Sequence, residues 1–356
     1  MTKLYLKLII ISLMSVIPLA SYNYIIDPYG IFHNSRLNLW YEPGFEPNQH
    51  YAKMRHILND KHLWDSYLFG SSRAGKINLG VIPGGNYYNM NYSEGILAEH
   101  LEDIKLLLKK GITIKNVMIG LDNVSYTIGT EEHRGQIMRH PYDASAFKRF
   151  LFKVKYLCSA PRIDFIKHAR TTRTDLSINF NILGNGLQNL EVIDGNIERD
   201  PGHHIKSVRF IEANNTAFNK ASEARYMNLM EDTIKDIAEI VKLSEQNHFN
   251  LSFFLNPTHK LFYLRGNPYH YLLFKKKLAQ VTGYWDFSGL NMITTNNYFY
   301  YETSHYRTMV GDLIICRMTN CKNLKVPEDF GVYITKENVN QHIQQQKDEL
   351  IAYQYK

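Results

Sequence analysis

Hydrophobic positions along this chain fall into three patterns. Residues 4–20 form an almost unbroken apolar run, interrupted only by Lys7, Ser12 and Ser15 and preceded by Lys3. A run of this kind at the extreme terminus is a signal peptide or a short signal anchor, near the lower limit for spanning a bilayer. Pro18 stands two positions before Ala20, which makes a poor small-x-small cleavage site. Retention is therefore expected: one transmembrane segment within residues 1–22, a cytoplasmic N-terminus, and a body on the periplasmic side of the inner membrane.

The second pattern is a series of short apolar runs bounded by turn residues, at 66–70, 87–92, 116–121, 251–255 and 284–287. These read as strands. In the third, apolar residues recur at helical spacing over 94–110, 222–246, 268–281 and 309–318. Pro268 suits a first helical position. Strands alternating with helices predict an α/β fold, a three-layer α/β/α sandwich with a mainly parallel sheet. The remaining divisions are an extended N-terminal region over 23–63 and a core domain over 64–322. The core carries an aperiodic, basic insertion at about 127–216. A polar, glutamine-rich tail over 323–356 has one weak helix.

At 356 residues the chain can bury a full core. Charged residues at 21% and aromatics at 13% exclude a disordered chain. The net charge of +7 is modest, and export argues against nucleic acid as a partner. The basic stretch 148–173 reads as a solvated face or as a surface for anionic glycans or lipid headgroups. The 25 tyrosines suit an ordinary core and rim as well as a sugar groove. None of the three cysteines sits in a CxxC pair, so no zinc site is expected. Cys316 and Cys321 are close enough to bridge in an oxidising compartment. The 15 histidines are scattered, and His203-His204 reads as a loop feature. No cofactor and no metal are expected.

Two short motifs carry candidate chemistry. Gly70-Ser71-Ser72-Arg73 closes the apolar run 67–69, and Glu302-Thr303-Ser304-His305 opens the last periodic helix. A serine hydroxyl is a weak nucleophile and needs a base within hydrogen-bond reach. Ser72, on a sharp turn permitted by Gly70, is the candidate nucleophile. His305 is its base, and Glu302, three residues before, orients the imidazole and stabilises its charged form. A spacing of three puts both side chains on one face of a turn entering a helix, where Thr303 or Ser304 could equally serve as an N-cap. An oxyanion needs N–H donors. Candidates are the Ser72 amide, the 93–95 loop with Gly95, and Asn123 in Gly120-Leu121-Asp122-Asn123. Asp122 would be protonated or paired with Arg73. Ser72, Asp122, Asn256 and His305 all follow predicted strands, at the edge where α/β sheets gather functional loops. Arg73 and Asn256 complete the candidate substrate-facing set.

The two motifs resemble the first and last blocks of the SGNH (GDSL-like) hydrolase superfamily, Gly-Asp-Ser and Asp-x-x-His, over roughly residues 64–320. The middle blocks, a loop glycine and Gly-x-Asn-Asp, are matched loosely by Gly95 and by 120–123. Ser71 replaces Asp, Glu302 replaces Asp, and Asp122 stands where Asn is the rule. The last departure bears on the oxyanion hole. The chain is most similar to the membrane-anchored, periplasm-facing members of the superfamily. The resemblance implies a serine esterase or O-acyltransferase acting on acyl esters of a cell-envelope polysaccharide or glycolipid. Further partners would be the membrane, through the N-terminal helix, and other envelope-biosynthesis proteins. The alternative is a catalytically inactive SGNH-like module that binds polysaccharide or scaffolds a biosynthetic complex.

Overall fold

The structure, a computed structural model, describes residues 2–33, 46–162, 181–188 and 220–354. In the first helix, side chains are described at Tyr5, Met14 and from Val16 onward. The sheet forms where the short apolar runs predict it. β1 (Ser66–Gly70), β2 (Tyr87–Asn89), β3 (Asn116–Leu121), β4 (Asn250–Leu255) and β5 (Tyr284–Asp286) are all parallel, in spatial order β2-β1-β3-β4-β5. A sixth strand, β8 (Val332–Ile334), closes the β5 edge antiparallel.

Successive strand residues face opposite layers. Tyr67 and Phe69 of β1, Val117, Ile119 and Leu121 of β3, and Phe253 and Leu255 of β4 join one core. That core is covered by α2 (Gln49–Asn59), α3 (Leu97–Lys109), α7 (Lys220–Asn247), the short α8 (Lys260–Arg265), α9 (Pro268–Leu278) and α11 (Val339–Gln354). Leu68, Met118 and Phe254 point the other way, onto α10 (Thr308–Thr319) through Val310, Ile314 and Ile315. The fold is thus α/β with a mainly parallel sheet and helices on both sides.

Several elements differ from the sequence reading. α1 runs from Thr2 to Ile26, so residues 24–26 are helical rather than extended. Among the described residues no helix is long and apolar enough to cross a membrane. α2 lies in a region expected to be extended. Its N-terminus is capped by Asn48, whose side chain accepts from the Tyr51 N–H. The tail 323–356 contributes β8 and α11 to the domain. Ile334, Val339, Ile343 and Leu350 join the main core, and beside them Lys275 Nζ lies 2.9 Å from Asp286 and 2.7 Å from Gln346 Oε1, while His342 Nε2 reaches Asp286 at 2.7 Å. Within the insertion, α4 (Val124–Thr127) leads in, and α5 (Thr130–Arg134) and α6 (Ala146–Leu157) follow. α6 packs on the end of α1 and on Tyr51 of α2. Residues 181–188 lie along β2, with the Asn89 N–H donating to Asn185 O and Tyr88 OH to Ile182 O. His203-His204 falls outside the described residues, as do residues 163–173 of the basic stretch.

Candidate active site

Gly70 ends β1 at φ +148°, and a Cβ there would come within 2.8 Å of the Gly120 carbonyl oxygen. Only glycine takes both the conformation and the close approach. The chain then turns through Ser71 and Ser72 into the short helical segment Ala74–Lys76, with Ala74 N–H donating to Ser71 O. This leaves Ser72 half-buried at the carboxyl edge of the sheet.

The other half of the site is a hairpin. β6 (Tyr300–Glu302) and β7 (His305–Tyr306) pair antiparallel, with Glu302 opposite His305 across a turn made by Thr303 and Ser304. The expected helical turn is therefore a β-turn. α10 starts only at Thr308, after Arg307, with no side-chain cap. Ser304 serves Arg73 instead of a helix end.

The two halves meet. Ser72 Oγ lies 2.7 Å from His305 Nε2, and His305 Nδ1 hydrogen-bonds Glu302 Oε1. The tautomer with its proton on Nδ1 satisfies both contacts: the serine hydroxyl donates to Nε2 and the ring donates to the carboxylate. The second Glu302 oxygen accepts the Ser304 N–H at 2.7 Å. Burial pushes the Glu302 carboxyl up, but the His305 bond, the Ser304 amide and the Arg73 charge outweigh it. The group is held below its ordinary value. His305 is also shifted down. Packing of protein around the ring does most of this, the Glu302 bond opposes it, and the Lys76 and Arg73 charges add to it. About 30% of the His305 side chain still reaches solvent, enough for a substrate to meet it. Such a set can take the serine proton, hold the resulting imidazolium and return the proton to a leaving group.

Arg73 joins three segments. Its Nε donates to Ser304 O at 2.9 Å, one Nη donates to Ser304 Oγ at 2.6 Å, and the other lies 2.8 Å from Asp122 Oδ2. Ser71 Oγ donates to the same Asp122 oxygen at 2.6 Å, and the Val124 N–H donates to Asp122 Oδ1 at 2.9 Å. Asp122 is thus the partner of Arg73 and is enclosed at 1% exposure, with no free donor for an oxyanion. Asn256 is equally committed. Its amide donates to Leu121 O at 3.2 Å and its oxygen accepts from Tyr306 OH at 3.0 Å. The Gly95 N–H donates to Tyr92 O, so it is spent within its own loop. Gly95 nevertheless abuts the turn: a Cβ there would overlap the Gly70 carbonyl oxygen. Asn123 follows β3 with its Oδ1 buried and without a partner among the described residues. Among the described residues the Ser72 N–H meets no acceptor, which leaves it as an open donor at the candidate nucleophile.

Lys76 is a participant that the sequence reading missed. It stands four residues after Ser72, 5% exposed, with Nζ 2.5 Å from Gln188 Oε1 and near the Tyr301 ring. The short spacing from the serine was its only signal. Lys53 was missed too. Its buried Nζ binds Asn91 O at 2.6 Å, Asn91 Oδ1 at 3.0 Å and Gly186 O at 3.1 Å, so it ties the insertion to the loop after β2. Among the described residues no group of three or more His, Cys, Asp or Glu could hold a metal ion. Cys316 and Cys321 form a disulfide, and Cys158 is a free, exposed thiol. No protein-family model matches the chain, and a search of curated proteins finds no significant match.

Proposed function

We propose that the protein is a serine esterase or O-acyltransferase of the SGNH type. It would be anchored by its first helix and act on acyl esters of a cell-envelope polysaccharide or glycolipid. The observation that carries this reading is the continuous relay from Ser72 through His305 to Glu302. Ser72 Oγ attacks the ester carbonyl while its proton passes to His305 Nε2. The tetrahedral oxyanion is met by the Ser72 N–H. Collapse expels the alcohol, which takes the proton from His305, and leaves an acyl group on Ser72. Water or a second hydroxyl then attacks by the reverse sequence, giving hydrolysis or transfer. Anchoring is supported by the apolar run 4–20 with Lys3 and Lys7 on its N-terminal side. The Cys316–Cys321 disulfide supports an oxidising compartment.

One observation favours a second reading, a non-catalytic module for an envelope glycan. Asp122, Asn256 and the Gly95 amide are all engaged within the protein, so the oxyanion would rest on few donors. Labelling with an activity-based fluorophosphonate separates the two. The catalytic reading requires a covalent adduct on Ser72 that vanishes in Ser72→Ala and His305→Ala. A folded protein that takes up no label belongs to the binding class.

A further inference from the structure

α6 has two apolar faces. Phe152 and Tyr156 point inward onto Ile31 and Tyr51. Phe147, Phe150, Leu151 and Val154 point outward at 69%, 61%, 48% and 36% exposure. Their spacing is i, i+3, i+4, i+7, one continuous stripe along the helix. A soluble surface rarely carries such a stripe without something to cover it. Lys148, Lys153 and Lys155 are exposed beside it. Lys148 has a 3.7 Å contact with Asp143, and Lys155 donates to Arg134 O at 3.4 Å.

The end of α6 is tied to α1. Asn23 Nδ2 donates to Leu157 O at 2.9 Å and to Ser159 O at 2.8 Å, and Tyr22 OH donates to Arg162 O at 2.8 Å. These bonds pin the end of α6 to the last turns of α1, where Ile17, Tyr24 and Ile25 are also exposed. An outward apolar stripe flanked by lysines, fixed to the end of an apolar helix, has the chemistry of an interfacial helix.

We propose that α6 lies in the headgroup layer of the membrane that α1 enters. Its Phe147–Phe150–Leu151–Val154 stripe is buried at the acyl boundary and its lysines rest on anionic lipid phosphates. This rests on the reading of α1 as an anchor. The domain is then held at two points, at a fixed tilt to the bilayer, rather than swinging on a single tether.

Cys158, one residue beyond α6, is a ready probe position, since the other two cysteines are bridged. The full chain is labelled there with an environment-sensitive fluorophore. It is then reconstituted into phosphatidylcholine vesicles with and without phosphatidylglycerol, each carrying nitroxide-labelled lipid. The fluorophore should be blue-shifted and quenched, more strongly with phosphatidylglycerol. The triple variant Phe147→Ser, Phe150→Ser, Leu151→Ser should lose most of the quenching at an unchanged melting temperature. Equal quenching in the two proteins overturns the proposal. So does a concentration-dependent dimer in detergent that the triple variant abolishes, which would make the stripe an interface between copies. Retention after an alkaline wash reads α1 alone. Release in that wash sinks the anchor, whereas retention without stripe-dependent quenching sinks only the role of α6.

Discussion

Arg73 and Asp122 form an ion pair 2.8 Å apart with side-chain exposures of 4% and 2%, between the turn that carries Ser72 and the end of the neighbouring strand. Because the same guanidinium also holds Ser304, the pair fixes the hairpin that presents His305. Leaving Asp122 unpaired should cost about 3–5 kcal/mol. Arg73→Ala should lower the denaturation midpoint and the turnover of a small ester together. The double variant with Asp122→Asn should recover much of the stability, because no buried charge is then left alone. A single variant as stable as the parent would contradict this account.

His305 must be neutral to accept the serine proton, and its protonation is suppressed in the folded protein. The acid limb of kcat/KM should therefore inflect below the ordinary imidazole value of about 6.5. The Glu302 bond raises the His305 pKa, so Glu302→Gln should move that limb to still lower pH. It should also cut kcat by roughly 10⁴-fold, the scale found when a triad carboxylate is neutralised. An acid limb moving to higher pH in Glu302→Gln would show that another group controls the profile.

Gly95 has no room for a methyl group beside the Gly70 carbonyl. Gly95→Ala should destabilise the protein by about 1–3 kcal/mol, the usual cost of overpacking. It should lower kcat more than it raises KM, because the strain falls on the turn bearing Ser72. Thermal melting and steady-state kinetics together check this. Unaltered values in both would mean the loop moves aside freely.

His100 is fully enclosed, and among the described residues neither ring nitrogen has a hydrogen-bond partner. Burial, with help from the His50 and His133 charges and against Glu99, pushes its pKa down to about 3. Unfolded, it titrates near 6.5. Between these values the unfolded chain binds a proton that the native protein refuses. Stability therefore falls as pH drops through the window, with a limiting slope of about 1.4 kcal/mol per pH unit from this group. Urea titrations of the parent and of His100→Leu at pH 7, 5.5 and 4 should diverge, the variant losing less. Parallel curves would remove His100 from the acid response.

Most of the sheet could be read in the chain, because β1, β3 and β4 are apolar on both faces and alternate with helices of clear period. α2 could not, because its inward face includes Gln49, His50 and Lys53. These are buried only because Asp103 takes His50 at 2.7 Å and Asn91 takes Lys53. In the tail the helix was legible but its docking on the domain was not: Gln346 and His342 look solvated until Lys275 and Asp286 are brought to them. Hydropathy carries no record of a partner dozens of residues away. Ser72, His305 and Glu302 were legible since the chemistry names the residue types and the motifs give their spacing. The oxyanion donors were not, because whether an N–H is open or spent, as in Gly95, is decided by local turn geometry.

The separation of 233 positions between Ser72 and His305 has a consequence for how the protein is made. Ribosomes deliver the serine with its turn and first strand, and the imidazole only 233 positions later. The hairpin that holds it also needs Arg73, already long emerged, to clasp Ser304. A nascent or truncated chain ending anywhere before residue 305 carries Ser72 without its proton acceptor. The relay is therefore assembled only after every element between the two residues has been made.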